Sequence, residues 1–121
     1  MIGDGDVSAV ISSVLNSSNI DMYYGIGGAP EGVLAAAALQ CIGGSIEGKL
    51  LFQNEDEILR AKKIGITDLN KIYGLKDLAN GDIMFSATGV TDGTMLKGIK
   101  ITKDYAETHS IVMIVKVIRM L

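Results

Sequence analysis

Between Pro30 and the pair Gly43-Gly44 runs Val33 to Ile42, a segment rich in alanine and without a single charge. Proline suits the first position of a helix, where its missing N–H is not needed, and glycine suits the position just past the end. The bracket therefore predicts a helix that starts at Pro30 and closes at Gly43. With no polar face it predicts a buried helix around which the rest of the chain packs. The uncharged run from Gly32 to Ile46 falls short of the roughly 20 residues that a membrane span requires.

At 121 residues, 48% of them apolar, the chain has material for a single domain with its own core. Aromatics are only 5%, so Ala, Val, Ile, Leu and Met must fill it. Cys41 is the only cysteine and cannot pair internally, which predicts a buried, reduced thiol and a cytoplasmic setting. The opening MIGDGD has no basic or apolar leader region, so no secretory signal is expected. Net charge is −3 and uneven: Asp4, Asp6, Asp21, Glu31 and Glu47 precede every one of the 11 basic residues. An acidic, base-free segment repels phosphodiester backbones and anionic lipid, so neither nucleic acid nor membrane is expected as a partner. It suits a bound cation, the plain alternative being solvated acids on turns.

Val7, Val10, Ile11, Val14 and Leu15 recur on one helical face, with Asp6 as N-cap and residues 16–19 as the exit loop. Ile20 to Tyr24 predicts a short strand delivering the glycine loop, and Lys49 to Phe52 a second strand. Asn54 opens a helix with Glu55, Asp56 and Glu57 in its first turn; it runs to Lys62-Lys63 and is stopped by Gly65. A short irregular element is expected around Tyr73 and Leu75. Asp82 to Thr88, Met95 to Thr102 and Thr108 to Ile118 predict further strands, the first followed by the turn Gly89 to Gly93. Helices alternating with strands, then a β-rich tail, predict a layered α/β fold with a mixed sheet. Only Met1, Ile2 and Gly3 precede the acidic turn Asp4-Gly5-Asp6, where a strand is expected, so the chain reads as starting inside a larger protein.

The glycine loop fails as a dinucleotide site. Pro30 stands where the third glycine belongs, and Glu31 sets a negative charge where pyrophosphate would lie. As a metal-assisted site it fares better. Mg²⁺ and Mn²⁺ favour carboxylate oxygens and keep several waters, so one segment supplies only one or two ligands. Glu31, beside the N–H groups of Gly27 and Gly28, suits such a share, or it simply complements the helix dipole. Asp4 and Asp6 can ligate metal or accept hydrogen bonds from sugar hydroxyls, although a capping role accounts for Asp6 alone. Parallel α/β packing would bring both turns to one sheet edge. His109, the only histidine, reads as structural, and the turn from Ala87 to Gly93 is either a plain β-turn or the wall of a site.

DGDV at 4–7, YGIGGAPEGVLAAAALQCIGG at 24–44, ATGVTDG at 87–93 and THSIVM at 108–113 together resemble the class II, GlpX-type fructose-1,6-bisphosphatases. The resemblance covers nearly all of residues 1–121 as the carboxy-terminal portion of that family, one domain's worth of a larger phosphatase. It implies the layered sugar-phosphatase fold shared with inositol monophosphatases. It also implies Mn²⁺- or Mg²⁺-dependent hydrolysis of the 1-phosphate of fructose 1,6-bisphosphate, a small sugar bisphosphate, to fructose 6-phosphate. Some relatives also take sedoheptulose 1,7-bisphosphate. The further implications are a place in gluconeogenesis and glycerol metabolism and a homo-oligomeric full-length enzyme. By position, Glu31 is similar to a metal ligand, Asp4, Gly5 and Asp6 to a sugar-binding turn, and Gly28 to a substrate-contacting backbone position. The remaining metal carboxylates and basic phosphate-holding residues are expected outside this chain, so the fragment alone is expected to be inactive. The alternative is a non-catalytic sugar- or metal-binding or interaction module left by truncation.

Overall fold

The computed structural model describes residues 6–15 and 20–116. Its elements in chain order are α1 (Asp6–Val14), α2 (Ala29–Ile42), β1 (Glu47–Lys49), α3 (Glu55–Lys63), β2 (Ile72–Gly74), α4 (Leu75–Leu78), β3 (Ile83–Thr88), β4 (Lys100–Ile101), β5 (Ala106–Glu107) and β6 (Ser110–Val115). Among the described residues no helix is long and apolar enough to cross a membrane.

The bracketed segment is α2. Gly28 is its N-cap, Ala29 its first residue and Pro30 its second, one place later than expected but still in the turn whose N–H groups lack helical acceptors. At the far end Gly43 adopts φ 82°, the left-handed conformation that glycine enters without steric cost. The N–H groups of Gly43 and Gly44 then both donate to the Leu39 carbonyl, at 2.9 and 3.0 Å. The prediction of full burial needs correction. Ala35, Ala36, Ala38 and Leu39 form a buried face, but Val33 and Leu34 remain exposed because no described element covers them.

α1 packs on the alanine face of α2. Val10 shares one cluster with Ala35 and Leu39, and Ile11 shares another with Ala38 and Phe85. A Cβ on Gly44 would stand 2.9 Å from Val14 Cγ2, so the C-terminal ends of the two helices converge there. α1 begins at Asp6 itself; the capping role predicted for that side chain lies outside what is described, as do residues 16–19.

The chain is α/β, yet every described strand pair is antiparallel and two-stranded: β1 with β2, β3 with β6, β4 with β5. The mixed sheet is therefore not formed by these residues. A parallel pair needs a strand feeding a crossover helix. The segment expected to do so, Ile20 to Tyr24, joins no ladder with any described strand. β3 and β6 pair from Ile83 with Val115 to Thr88 with Ser110. Side chains alternate across this pair: Phe85, Ala87, Ile111 and Met113 pack towards Ile11, Ala38 and Cys41, while Met84, Val112 and Ile114 face away. Cys41 is half-buried rather than fully enclosed.

The remaining elements follow local signals more closely. Asn54 accepts the Glu57 N–H at 3.0 Å, and the Glu57 carboxylate accepts the Gln53 N–H at 2.8 Å, as an acidic first turn predicts. The strand expected over Lys49 to Phe52 is displaced to β1, which ends at Lys49. The irregular element around Tyr73 resolves into β2 and α4, joined where Asp77 accepts the Gly74 N–H at 3.0 Å. Of the strand expected over Thr108 to Ile118, Ser110–Val115 forms, and residues 117–118 lie outside the described ones.

Candidate functional site

Glu31 is the third residue of α2, and its exposed side chain folds back over the N-cap. A Cβ on Gly28 would collide with Glu31 Oε2 and stand 3.2 Å from its Cδ, so glycine at 28 is what leaves room for the carboxylate. Glu31 takes no hydrogen bond or ion pair from the described residues. Its oxygens therefore face water and the positive end of the helix, free to accept a cation. Among the described residues no group of three or more His, Cys, Asp or Glu side chains could hold a metal ion. One carboxylate is a partial fit to a hydrated divalent cation, which takes one or two protein carboxylates and fills its shell with water and phosphate.

The other candidate residues are less fully placed. Asp4 and Gly5 lie outside the described residues, and Asp6 is fixed only as the first residue of α1. The parallel packing expected to bring that turn to the glycine loop is not found among the described residues. The relation on hand is the meeting of α1 and α2 at Gly44.

The turn after β3 does line a concavity. Val90, Thr91 and Asp92, with Lys97, Lys100 and His109 among the facing residues, border a groove of about 540 Å³. The loop is locked from within. Gly89 donates to the His109 carbonyl at 2.9 Å and Ile99 to the Val90 carbonyl at 3.1 Å. The Gly98 N–H reaches Asp92 Oδ1 at 2.8 Å, and the Lys97 N–H reaches His109 Nδ1 at 2.9 Å. These bonds explain why the strand predicted over Met95 to Thr102 shrinks to Lys100–Ile101: amides serving the loop are unavailable to a ladder. His109 helps to hold the loop, its Nδ1 accepting the Lys97 N–H. Sequence reasoning does not single out Lys97 and Lys100; nothing local marks two lysines as facing one groove. Neither Gly28 nor Glu31 lines it.

Residues 1–121 match the family described as bacterial fructose-1,6-bisphosphatase, glpX-encoded. The chain belongs to that family. Its relatives include proteins named D-fructose 1,6-bisphosphatase class 2/sedoheptulose 1,7-bisphosphatase. Those of Microcystis aeruginosa and Synechococcus elongatus are each 38% identical over 125 residues, and that of Trichodesmium erythraeum is 39% identical over the same length. Each comparison takes in 93% of this chain and 36% of the relative, so the chain spans about a third of the length of the curated relatives it matches.

Proposed function

We propose that this chain is the carboxy-terminal portion of a metal-dependent sugar-bisphosphate phosphatase acting on fructose 1,6-bisphosphate, releasing the 1-phosphate and leaving fructose 6-phosphate. The observation that carries the reading is Glu31 held over Gly28 at the start of α2 with no partner among the described residues, in a chain of this family. Glu31, whose carboxylate lies over Gly28, supplies one ligand to Mn²⁺ or Mg²⁺, and Gly28 contacts the substrate through its backbone where the cation draws that carboxylate aside. Asp4 and Asp6, on either side of Gly5, accept hydrogen bonds from sugar hydroxyls. When bound, such a cation neutralises phosphate oxygens and lowers the pKa of the attacking water. The relatives' names add sedoheptulose 1,7-bisphosphate as a second substrate of the same class. The complete enzyme is cytoplasmic, homo-oligomeric and part of gluconeogenesis.

One metal ligand cannot hold a multi-metal site, so the isolated chain is expected to show no appreciable phosphate release with Mn²⁺. A chimera in which this chain replaces the matched part of the Synechococcus elongatus protein is expected to hydrolyse fructose 1,6-bisphosphate with Mn²⁺, and Glu31→Gln to abolish that. The second reading is a sugar- or metal-binding module without catalysis. A chimera that binds Mn²⁺ and releases no phosphate would establish it; turnover by the isolated chain would sink both.

A further inference from the structure

Among the described helices, α3 alone has no residue in or against either core cluster, and Ala61 is its one buried residue. Leu59, on its outward side, is 53% exposed. On a helix surface the neighbours of a residue lie three and four places before and after it. For Leu59 these are Glu55 and Asp56 on one side and Lys62 and Lys63 on the other, all four exposed. The face is therefore an apolar residue between two acids and two bases. Complementing the helix dipole accounts for acids first and bases last, but not for a leucine left in water between them. The two halves also cannot satisfy each other. Glu55 and Lys63 stand about 12 Å apart along the axis. None of the four charged side chains has a hydrogen bond or an ion pair among the described residues.

We infer that this face of α3 pairs with the same face of a second copy of the chain, the two helices antiparallel about a two-fold axis at Leu59. Reversal sets Glu55 against the partner's Lys63 and Asp56 against the partner's Lys62, and the symmetry repeats both pairs. Leu59 meets the partner's Leu59 at the axis, where both leave water. A parallel pair would stack acid on acid. A uniformly acidic or basic partner would match one half of the face and repel the other, whereas a second copy matches both. Leu51 and Ile64, just outside the two ends of α3, are exposed as well, so apolar surface near the contact is not confined to one residue. So small a face belongs with weak, salt-sensitive contacts and not with obligate interfaces. The pairing is independent of the phosphatase reading, and it names a contacting element where family membership suggests only a homo-oligomer.

The test uses the complete chain carrying Leu59→Cys under mild oxidation. Lys76→Cys, at an exposed position on α4, is the collision control, and the parent gives the background from Cys41. A disulfide between two copies of position 59, identified by peptide mass, is expected to form about tenfold faster than one at 76. It is expected to slow at about 1 M salt, where the screening length falls to about 3 Å. In the Leu59→Cys background, Glu55→Lys with Asp56→Lys makes the face wholly basic, and Lys62→Glu with Lys63→Glu makes it wholly acidic. Each alone is expected to lose most of the cross-link, and an equimolar mixture to regain it as a heterodimer resolved by mass. Cross-linking at 59 no faster than at 76 overturns the pairing, as do reversed variants that cross-link like the parent or a mixture that does not recover. Where a reversed variant fails to fold by far-UV circular dichroism, the comparison of 59 with 76 and its salt dependence decide. Phosphate release by the single-chain chimera bears on the enzymatic reading alone, and the cross-link on the helix pair alone.

Discussion

Gly28 and Gly89 are both too crowded to accept a Cβ, but what crowds them differs. At Gly28 the obstacle is the end of the Glu31 side chain, which can swing away; at Gly89 it is the Lys97 carbonyl, held in the locked loop. Gly28→Ala is thus expected to stay within about 0.5 kcal/mol of the parent in urea unfolding. Gly89→Ala, which must move backbone, is expected to lose about 1–3 kcal/mol. Equal losses would contradict the distinction. The same pair shows where residue-level reading reaches. Glu31 after a glycine cap is a local pattern, visible in any helix start. The Lys97 to His109 bond joins residues distant in sequence through a side-chain acceptor, and no local signature announces it.

Helices were more legible than strands, for a physical reason. α1, α2 and α3 follow from apolar spacing, caps and end charges that lie within their own residues. A strand depends on a neighbour, and β propensity at Ile20 to Tyr24 or Met95 to Thr102 cannot say whether one is present. Short elements also lean on individual side chains. Lys71, 2.9 Å from Asp77, and the Gly74 N–H together hold the Asp77 carboxyl below its usual 3.8, and Asp77 raises Lys71 in turn. A depressed carboxyl contributes stability above its unfolded pKa and loses it as pH falls through the folded value. The β2–α4 corner should therefore weaken below about pH 4, modestly because the pair is exposed and less still at high salt. Thermal melts of the parent and Asp77→Asn are expected to differ at neutral pH and to converge in acid; a constant gap would refute the linkage.

At the scale of the molecule the core is thin. Among the described residues Ile11 and Leu39 are the largest fully buried side chains, and most of the remaining buried set is alanine. Ile11→Ala is expected to cost about 2–5 kcal/mol, a large part of the roughly 5–15 kcal/mol that holds a small domain folded. Its circular dichroism melt should accordingly lose a cooperative transition, and retention of one would mean that the helix–sheet contact carries less than its burial suggests. Of the candidate residues legible in the sequence, Gly28 and Glu31 stand at the N-terminal end of α2, while Asp4 and Gly5 lie outside the described residues. Cys41 sits in the same seam, with Phe85, Ile111 and Met113 around it. Being the only sulfhydryl, and half-buried, it reports on the seam: its alkylation rate rises above the native basal rate as helix and hairpin part. The native sequence thus carries a label for its own breathing, readable by mass without any introduced probe.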